Sequence, residues 1–470
     1  MSDKVNIAEL AISEEMIKQQ VENLKNGPKE LNLKRPCTIG DGIMAMSETE
    51  LNRFVDNYEG IISGKSICRF TPASGAATRM FKHLYEGDHN SVLYKEFVDR
   101  IQDFAFYDAL NIKAQDSVVQ IVDKVLGEGG LNYGKLPKAM IDFHKYSDEV
   151  RKSIDEQLVE GVAYAKSNDQ ADFHFTISEE HKEIVKKHLD KVLSTYENKL
   201  GTKIKISFST QLKSTDTVAL DGNNQLVYQE NGDLLLRPGG HGSLIHNLDQ
   251  MDADIIYVKN IDNIVRSEKQ PDIVKYKKAL GAKLIELQTT VFEYLNKLDS
   301  NEVNSELLNE MTNFAKNELN VNVEASKYEI FKALNRPIRV CGMVKNEGKA
   351  GGGPFWVDDS VQIVESAQMN LDNPEVEEML ERATHFNPVD LVCGIKDYKG
   401  NKFDLTEFID ADTFFVTSKS YLGNEIKVLE HPGLWNGAMA KWNTVFVEVP
   451  VSTFHPVKTV NDLLGEAHQV

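Results

Sequence analysis

The sequence predicts an α/β protein with a mixed, mainly parallel sheet covered by helices on both faces, on three observations. Short apolar runs recur at residues 67–70, 172–178, 203–210 and 254–259, the composition of strands buried on both sides. Helical patterns lie between them, notably residues 179–200 between the second and third, and that alternation is the mark of parallel pairing. The third observation is the stretch LLLRPGGHGSLIHNLDQMDADIIYVKNIDNIV, Leu234 to Val265, which reads as strand, glycine turn, helix and strand in one βαβ unit. Its second strand delivers Asn260, Asp262 and Asn263 at the carboxyl end, where open α/β sheets bind ligands.

Taken in order, residues 1–60 read as a helical N-terminal extension. One helix runs from Ile12 to Asn26 and stops at Gly27-Pro28, and Ser47-Glu48-Thr49-Glu50 is a capping box opening another. Residues 61–400 read as the core. Its first strand, 67–70, runs into Thr71-Pro72-Ala73-Ser74-Gly75 and then a helix with Thr78 and Arg79 in its first turn, an arrangement that can hold an anion. The earlier GIISGKS is not a Walker A loop, because its glycines are one residue too close and it precedes its strand. Residues 83–134 form a polar, mainly helical insertion ending at Gly127 to Gly130, expected to stand as a separate cap, after which comes LPKAMIDFHKY and a helix to about Lys166. A second insertion, 264–335, carries Tyr276, Leu280, Leu284, Leu287, Val291 and Tyr294 at helical spacing, a packing stripe. Strands return near residues 338–364, with Gly351-Gly352-Gly353 expected as a loop, and residues 401–470 end in STFHPVKTVNDLL, read as strand, turn and final helix that complete the site.

The totals bound the partners. A chain of 470 residues with 41% apolar and 27% charged residues has ample core. A formal charge of −19 without any run of five basic residues argues against nucleic acid or an anionic membrane surface. The N-terminus has charges where a signal peptide needs apolar residues and no stretch is long enough for a membrane span, so a cytoplasmic location is expected. Cys37, Cys68, Cys341 and Cys393 match neither a disulfide framework nor a zinc spacing and are expected to be reduced and mostly buried.

Four pieces point at one anion: the turn from Thr71 to Arg79, Leu136-Pro137-Lys138, PGGHG with IDN, and His455-Pro456-Val457-Lys458. Here the sequence resembles the UDP-sugar pyrophosphorylase branch of the sugar-1-phosphate nucleotidyltransferases. PASGAATRM and LPKAM look like the two halves of that family's glycine-rich signature, PGGHG and IYVKNIDN like its PxGHG turn and strand ending in Asp-Asn, and FHPVKTVNDLL like its FxPVKTxxDLL. QIVESAQ resembles its sugar-binding segment and Phe386-Asn387 a nearby Phe-Asn pair. The chain as a whole also resembles an uncharacterised bacterial family of unknown function. Two glycines of the signature are Ser74 and Ala77 here, and added Cβ atoms at a phosphate-hugging turn narrow the approach.

The resemblance implies a Rossmann-like nucleotide-diphospho-sugar transferase fold of the GT-A kind, and a reaction between a nucleoside triphosphate, expected to be UTP, and a sugar 1-phosphate. It implies catalytic roles for Arg79, Lys138 and Lys458, with Asp262 as ligand of Mg2+. Ala73, Ser74, Gly75, Ala76, Thr78, Gln211, Gly239, Gly240, His241 and Gly242 would face the nucleotide, and Glu365 and Asn387 the sugar. Such chemistry needs cations, because two anions must meet. Two other readings compete: a non-catalytic nucleotide or sugar-phosphate binder, and a GT-A glycosyltransferase with Asp252-Ala253-Asp254 as its metal motif. The latter motif precedes its strand rather than following it.

Overall fold

The computed structural model describes residues 11–348 and 352–470. The chain divides into two compact units, each assembled from three separated stretches. The smaller comprises residues 48–210, 255–282 and 449–470, the larger the residues up to 47, 211–254 and 283–448.

In the smaller unit the four expected strands share one sheet, in the order Ile255–Lys259, Ile67–Pro72, Gln170–Thr176 and Lys203–Ser209, each parallel to its neighbour. The first two are buried along almost their whole length, which is why they read as unbroken apolar runs. Lys203–Ser209 differs from expectation: among the described residues it pairs only with Gln170–Thr176, and it keeps Lys203 and Lys205 exposed. Lysine on such an edge discourages further strand pairing. Helix Glu179–Leu200 ends at Gly201, which takes the left-handed conformation at φ +60°. It packs Val185, Leu189 and Tyr196 against Phe173, Phe175 and Ile204.

The insertion at residues 83–134 carries helices Val92–Asp99 and Val118–Leu126, N-capped by Ser91 and Ser117. It is not a separate cap. Phe97, Phe104, Phe106 and Val125 share one core with Phe81, Ile141, Ile264, Val457 and Leu463, so the insertion is tied by apolar burial to the segments around Asp262 and Lys458.

The larger unit holds Gly42–Met44, Asn443–Glu448 and Ile338–Lys345 as parallel neighbours, with Asp390–Gly394 antiparallel to the last. An antiparallel sheet orders Leu236–Arg237, Thr217–Leu220, Asn424–Glu430 and Phe415–Tyr421, and a third joins Leu33–Pro36, Gly353–Val357 and Ser360–Val364. Helix Glu14–Asn26, capped by Ser13, buries Ile17 and Leu24 against Val218, Leu220 and Leu429.

Several expectations are corrected. Residues 33–44, placed in a helical extension, contain three short strands, because Pro36 and the glycines at 40 and 42 break any helix there. The stretch from Leu234 to Val265 is not one βαβ unit, since Leu236–Arg237 and Ile255–Lys259 lie in different sheets. Of the three glycines expected as a loop, Gly351 lies outside the described residues and Gly353 begins a strand. The final helix is a five-residue 3₁₀ turn, Val460–Leu464, stopped by Gly465. All four cysteines are buried and none forms a disulfide. Among the described residues no helix is long and apolar enough to cross a membrane.

Candidate active site

In the smaller unit the chain leaves the strand Ile67–Pro72 through a turn whose Ser74, Gly75 and Ala76 are exposed, while Ala73 and Ala77 are buried. A 3₁₀ turn, Ala77–Arg79, follows in place of the expected helix start. The two halves of the glycine-containing signature meet although the insertion separates them. Ala77 N–H donates to the Leu136 carbonyl at 3.1 Å and Lys138 N–H to the Gly75 carbonyl at 3.2 Å. Among the described residues the N–H groups of Ser74, Gly75 and Ala76 have no acceptor, so they remain available to an anion. Gly75 has an ordinary φ, and a Cβ built on it meets nothing within 4 Å. Nothing among the described residues requires glycine there, whereas a ligand approaching the backbone would.

The substituted positions are now distinguishable. The Ala77 methyl points into the core and cannot narrow the turn, while Ser74 lies on its exposed lip.

Asp262 is the centre of the charged group. Its Oδ2 accepts from Lys138 Nζ at 2.8 Å and from Lys458 Nζ at 3.1 Å, and these lysines lie 124 and 196 residues away in sequence. Lys138 Nζ also donates to the Val457 carbonyl at 2.9 Å. Backbone pairing brings the motifs together: Val457 N–H donates to the Asp262 carbonyl at 3.0 Å, and Asn263 Oδ1 accepts from His455 N–H at 3.0 Å. The Asp462 carboxylate caps the next turn, accepting from the N–H groups of Lys458 and Thr459 at 2.7 Å each. Burial pushes the Asp262 carboxyl up, but the two ammonium groups outweigh it and hold the group below the usual carboxylate range. Lys458 keeps 60% of its side chain exposed against 13% for Lys138, so Lys458 can turn toward a ligand while Lys138 stays fixed. Arg79 is exposed and forms no ion pair among the described residues.

Thr78 is exposed in the same 3₁₀ turn, and the other predicted residues belong to the larger unit. Gly240 needs its lack of side chain for a φ of +77°. Gly239 and Gly242 need theirs for packing, because a Cβ would come within 2.4 Å of the His431 ring and 2.1 Å of the Pro432 carbonyl. These two glycines are thus explained by the fold itself. The turn continues into 3₁₀ His241–Leu244 and helix Ile245–Asp249.

The His241 ring stacks on Trp435, with centroids 4.4 Å apart. Leu434 N–H donates to His241 Nδ1 at 3.2 Å, which leaves a proton on Nε2 in the neutral ring. Glu365 Oε1 lies 3.9 Å from Nε2 and accepts from Trp435 Nε1 at 3.3 Å. Burial lowers the His241 pKa, against the pull of Glu365 and Glu430, so the imidazole is neutral near pH 7. An Nε2–H beside a carboxylate can satisfy a hydroxyl as both acceptor and donor.

Asn387 is buried, with its Oδ1 accepting from Val389 N–H at 3.0 Å. Val389 adopts φ +61°, an unusual conformation for a β-branched residue. Gln211 Nε2 is buried without an acceptor among the described residues.

A search of protein families finds one whose profile matches residues 1–469, described as Domain of unknown function (DUF4301). The chain belongs to this family. No curated protein matches the sequence. Solved structures similar to this DUF4301 chain include a mutant UDP-glucose pyrophosphorylase from Leishmania major, at 13% identity, covering 95% of this chain and 73% of that one, with a TM-score of 0.48. Another is the uridine diphosphate N-acetylglucosamine pyrophosphorylase from Trypanosoma brucei in complex with an inhibitor, at 10% identity, 96% and 74% coverage and a TM-score of 0.47. A third, described as UDP-glucose phosphorylase from Trypanosoma brucei, gives 12%, 96%, 76% and 0.47.

Sequence reasoning misses one residue of the group around His241. Trp435 could have been singled out as a tryptophan in a segment punctuated by Pro432, Gly433 and Gly437. The Asp252-Ala253-Asp254 motif is occupied internally, because Lys396 Nζ pairs with Asp252 at 2.9 Å and Asp254 at 3.1 Å.

Proposed function

We propose that this protein is a sugar-1-phosphate nucleotidyltransferase, joining a nucleoside triphosphate, UTP in the first instance, to a sugar 1-phosphate with release of pyrophosphate. The observation that carries the reading is the convergence of Lys138 and Lys458 on Asp262. The open backbone turn at Ser74 to Ala76, paired to the Lys138 segment, supports it.

In the reaction an oxygen of the sugar phosphate attacks the α-phosphorus of the triphosphate. A new P–O bond forms, the bond from the α-phosphorus to the bridging oxygen breaks, and pyrophosphate leaves with that electron pair. The protein's part is to position the anions and stabilise their charge. The amides of Ser74, Gly75 and Ala76, with Thr78 and Arg79, would hold the leaving pyrophosphate, Lys138 the triphosphate, and Lys458 the attacking phosphate or the α-phosphate. In the larger unit, His241 with Gly239, Gly240, Gly242 and Gln211 would bind the base, and Glu365 and Asn387 the sugar hydroxyls.

The residues present fit a magnesium ion brought in on phosphates. Among the described residues Asp262 Oδ1 is buried with no partner, and no group of three or more His, Cys, Asp or Glu side chains could hold a metal unaided. One carboxylate with phosphate oxygens and water is a common arrangement for this ion. When bound, magnesium would neutralise charge on the phosphates.

The test is exchange of labelled pyrophosphate into a nucleoside triphosphate, measured for a matrix of triphosphates and sugar 1-phosphates. Exchange that depends on the sugar 1-phosphate is expected. Binding of the nucleotide with no exchange in any combination would refute the enzyme and leave a binding protein.

A further inference from the structure

A helix buried on all sides is expected to be apolar throughout. Helix Ser153–Val162 instead buries Ser153, Asp155, Glu156, Gln157 and Glu160 together with its apolar residues, and each buried polar group is costly without a partner. Three of them have basic side chains as partners, by hydrogen bond or ion pair, and these contacts hold the fold together. Asp155 pairs with His188, Glu156 with His144, and Glu160 with Lys259 and Arg69.

Ser153 and Gln157 do something different, because their partners are the backbone segments carrying Lys138 and Asp262. Ser153 Oγ donates to the carbonyl of Lys138 itself at 2.8 Å. Gln157 Nε2 donates to the carbonyls of Asn260 and Ile261, at 2.9 and 3.1 Å, the two residues before Asp262. Arg69 Nη2 donates to Gln157 Oε1, which fixes the amide with its N–H groups toward those carbonyls. Residues four apart share a helix face. One rigid face therefore grips both sides of the Lys138 to Asp262 contact.

We infer that Ser153 and Gln157 are positioning residues that set Lys138 against Asp262 before any phosphate arrives. They touch no ligand and act through those two side chains, which a site for anions needs preorganised. The inference rests on the roles proposed for Lys138 and Asp262.

A double-mutant cycle in the full chain tests it, with inorganic pyrophosphate binding measured by calorimetry and label exchange measured in parallel. Gln157→Met should weaken pyrophosphate about tenfold in the parent and less than about twofold in an Asp262→Asn background, because coupled residues do not add. An equal loss in both backgrounds is what a purely structural role gives, and it would overturn the inference. Should Gln157→Met fail to fold, Ser153→Ala carries the same cycle. Ser153→Thr, which keeps the hydroxyl, should bind as the parent does, and a Thr variant as weak as Ala would also overturn it. Coupled pyrophosphate binding without exchange sinks the catalytic reading alone. Exchange with an additive cycle sinks this inference alone, and no pyrophosphate binding by the parent sinks both.

Discussion

Lys458→Ala separates a catalytic from a structural lysine, and the structure sets both magnitudes. At 3.1 Å from Asp262 the gross attraction is about 5 kcal/mol at an effective dielectric of about 20. With 60% of the side chain exposed, solvent screening and side-chain entropy reduce the net value to about 0.2–1 kcal/mol. Lys138 remains on Asp262 in the variant, so the carboxylate is not stranded. The melting temperature should therefore fall by no more than a few degrees. Turnover should fall at least about a hundredfold, the scale of removing one preorganised charge contact from a developing anion. Steady-state pyrophosphate release and a thermal melt are measured on the same preparation. Full activity in Lys458→Ala would refute the catalytic role, and a melting temperature lowered by ten degrees or more would make the lysine structural.

Lys138→Ala should damage stability as well as activity, by about 2 kcal/mol in urea unfolding, because it removes the more buried of the two lysines on Asp262 and strips the Val457 carbonyl of its donor; a loss below about 1 kcal/mol would contradict the burial argument. Gly75→Ala should leave stability within about 0.5 kcal/mol and weaken pyrophosphate binding at least tenfold, since its Cβ meets only the space a ligand would use. Gly242→Ala should do the reverse and lower the melting temperature, because its Cβ would lie 2.1 Å from the Pro432 carbonyl. Asp262 has a depressed folded pKa, so the unfolded chain binds more protons in the acid range and stability rises with pH there. Its contribution should be full above about pH 4, the unfolded value, and be lost as pH falls through the lower folded one. Urea unfolding of Asp262→Asn should accordingly show a shallower acid decline than the parent.

The parallel strands of the smaller unit were legible because burial on both faces writes an unbroken apolar run, as in Ile255–Lys259. Lys203–Ser209 joins that sheet as expected but not as a strand buried on both faces: the alternation of lysine with isoleucine marks its edge position, while its isoleucines alone suggest burial. The convergence on Asp262 could be anticipated only through motif resemblance: no local pattern shows that the Val457 carbonyl will accept a hydrogen bond from Lys138, a contact spanning 319 residues. Ser153 and Gln157 were hidden for a related reason. The apolar spacing of Ile154, Leu158 and Val162 describes one helix face, and the polar residues between them read as solvated until both faces prove buried.

How a chain of net charge −19 would hold the phosphates of the proposed reaction follows from range rather than total. At physiological ionic strength exposed charges are screened beyond about 8 Å, so distant carboxylates weigh little on a phosphate beside Lys138. Two ammonium groups share the Asp262 carboxylate there, so the cluster of these three side chains carries one net positive charge. The group around His241 has the opposite character, with Glu365 and Glu430 beside a neutral imidazole. Carboxylates repel phosphates but accept hydroxyl protons, so that group suits the uncharged part of a nucleotide sugar. Gln at position 365 would test this: Glu365→Gln keeps the acceptor for Trp435 Nε1 but removes the charge, and should weaken sugar 1-phosphate about tenfold through KM, as expected for one charged hydrogen bond. A fall in kcat alone, with KM unchanged, would assign Glu365 to the chemistry rather than to recognition of the sugar.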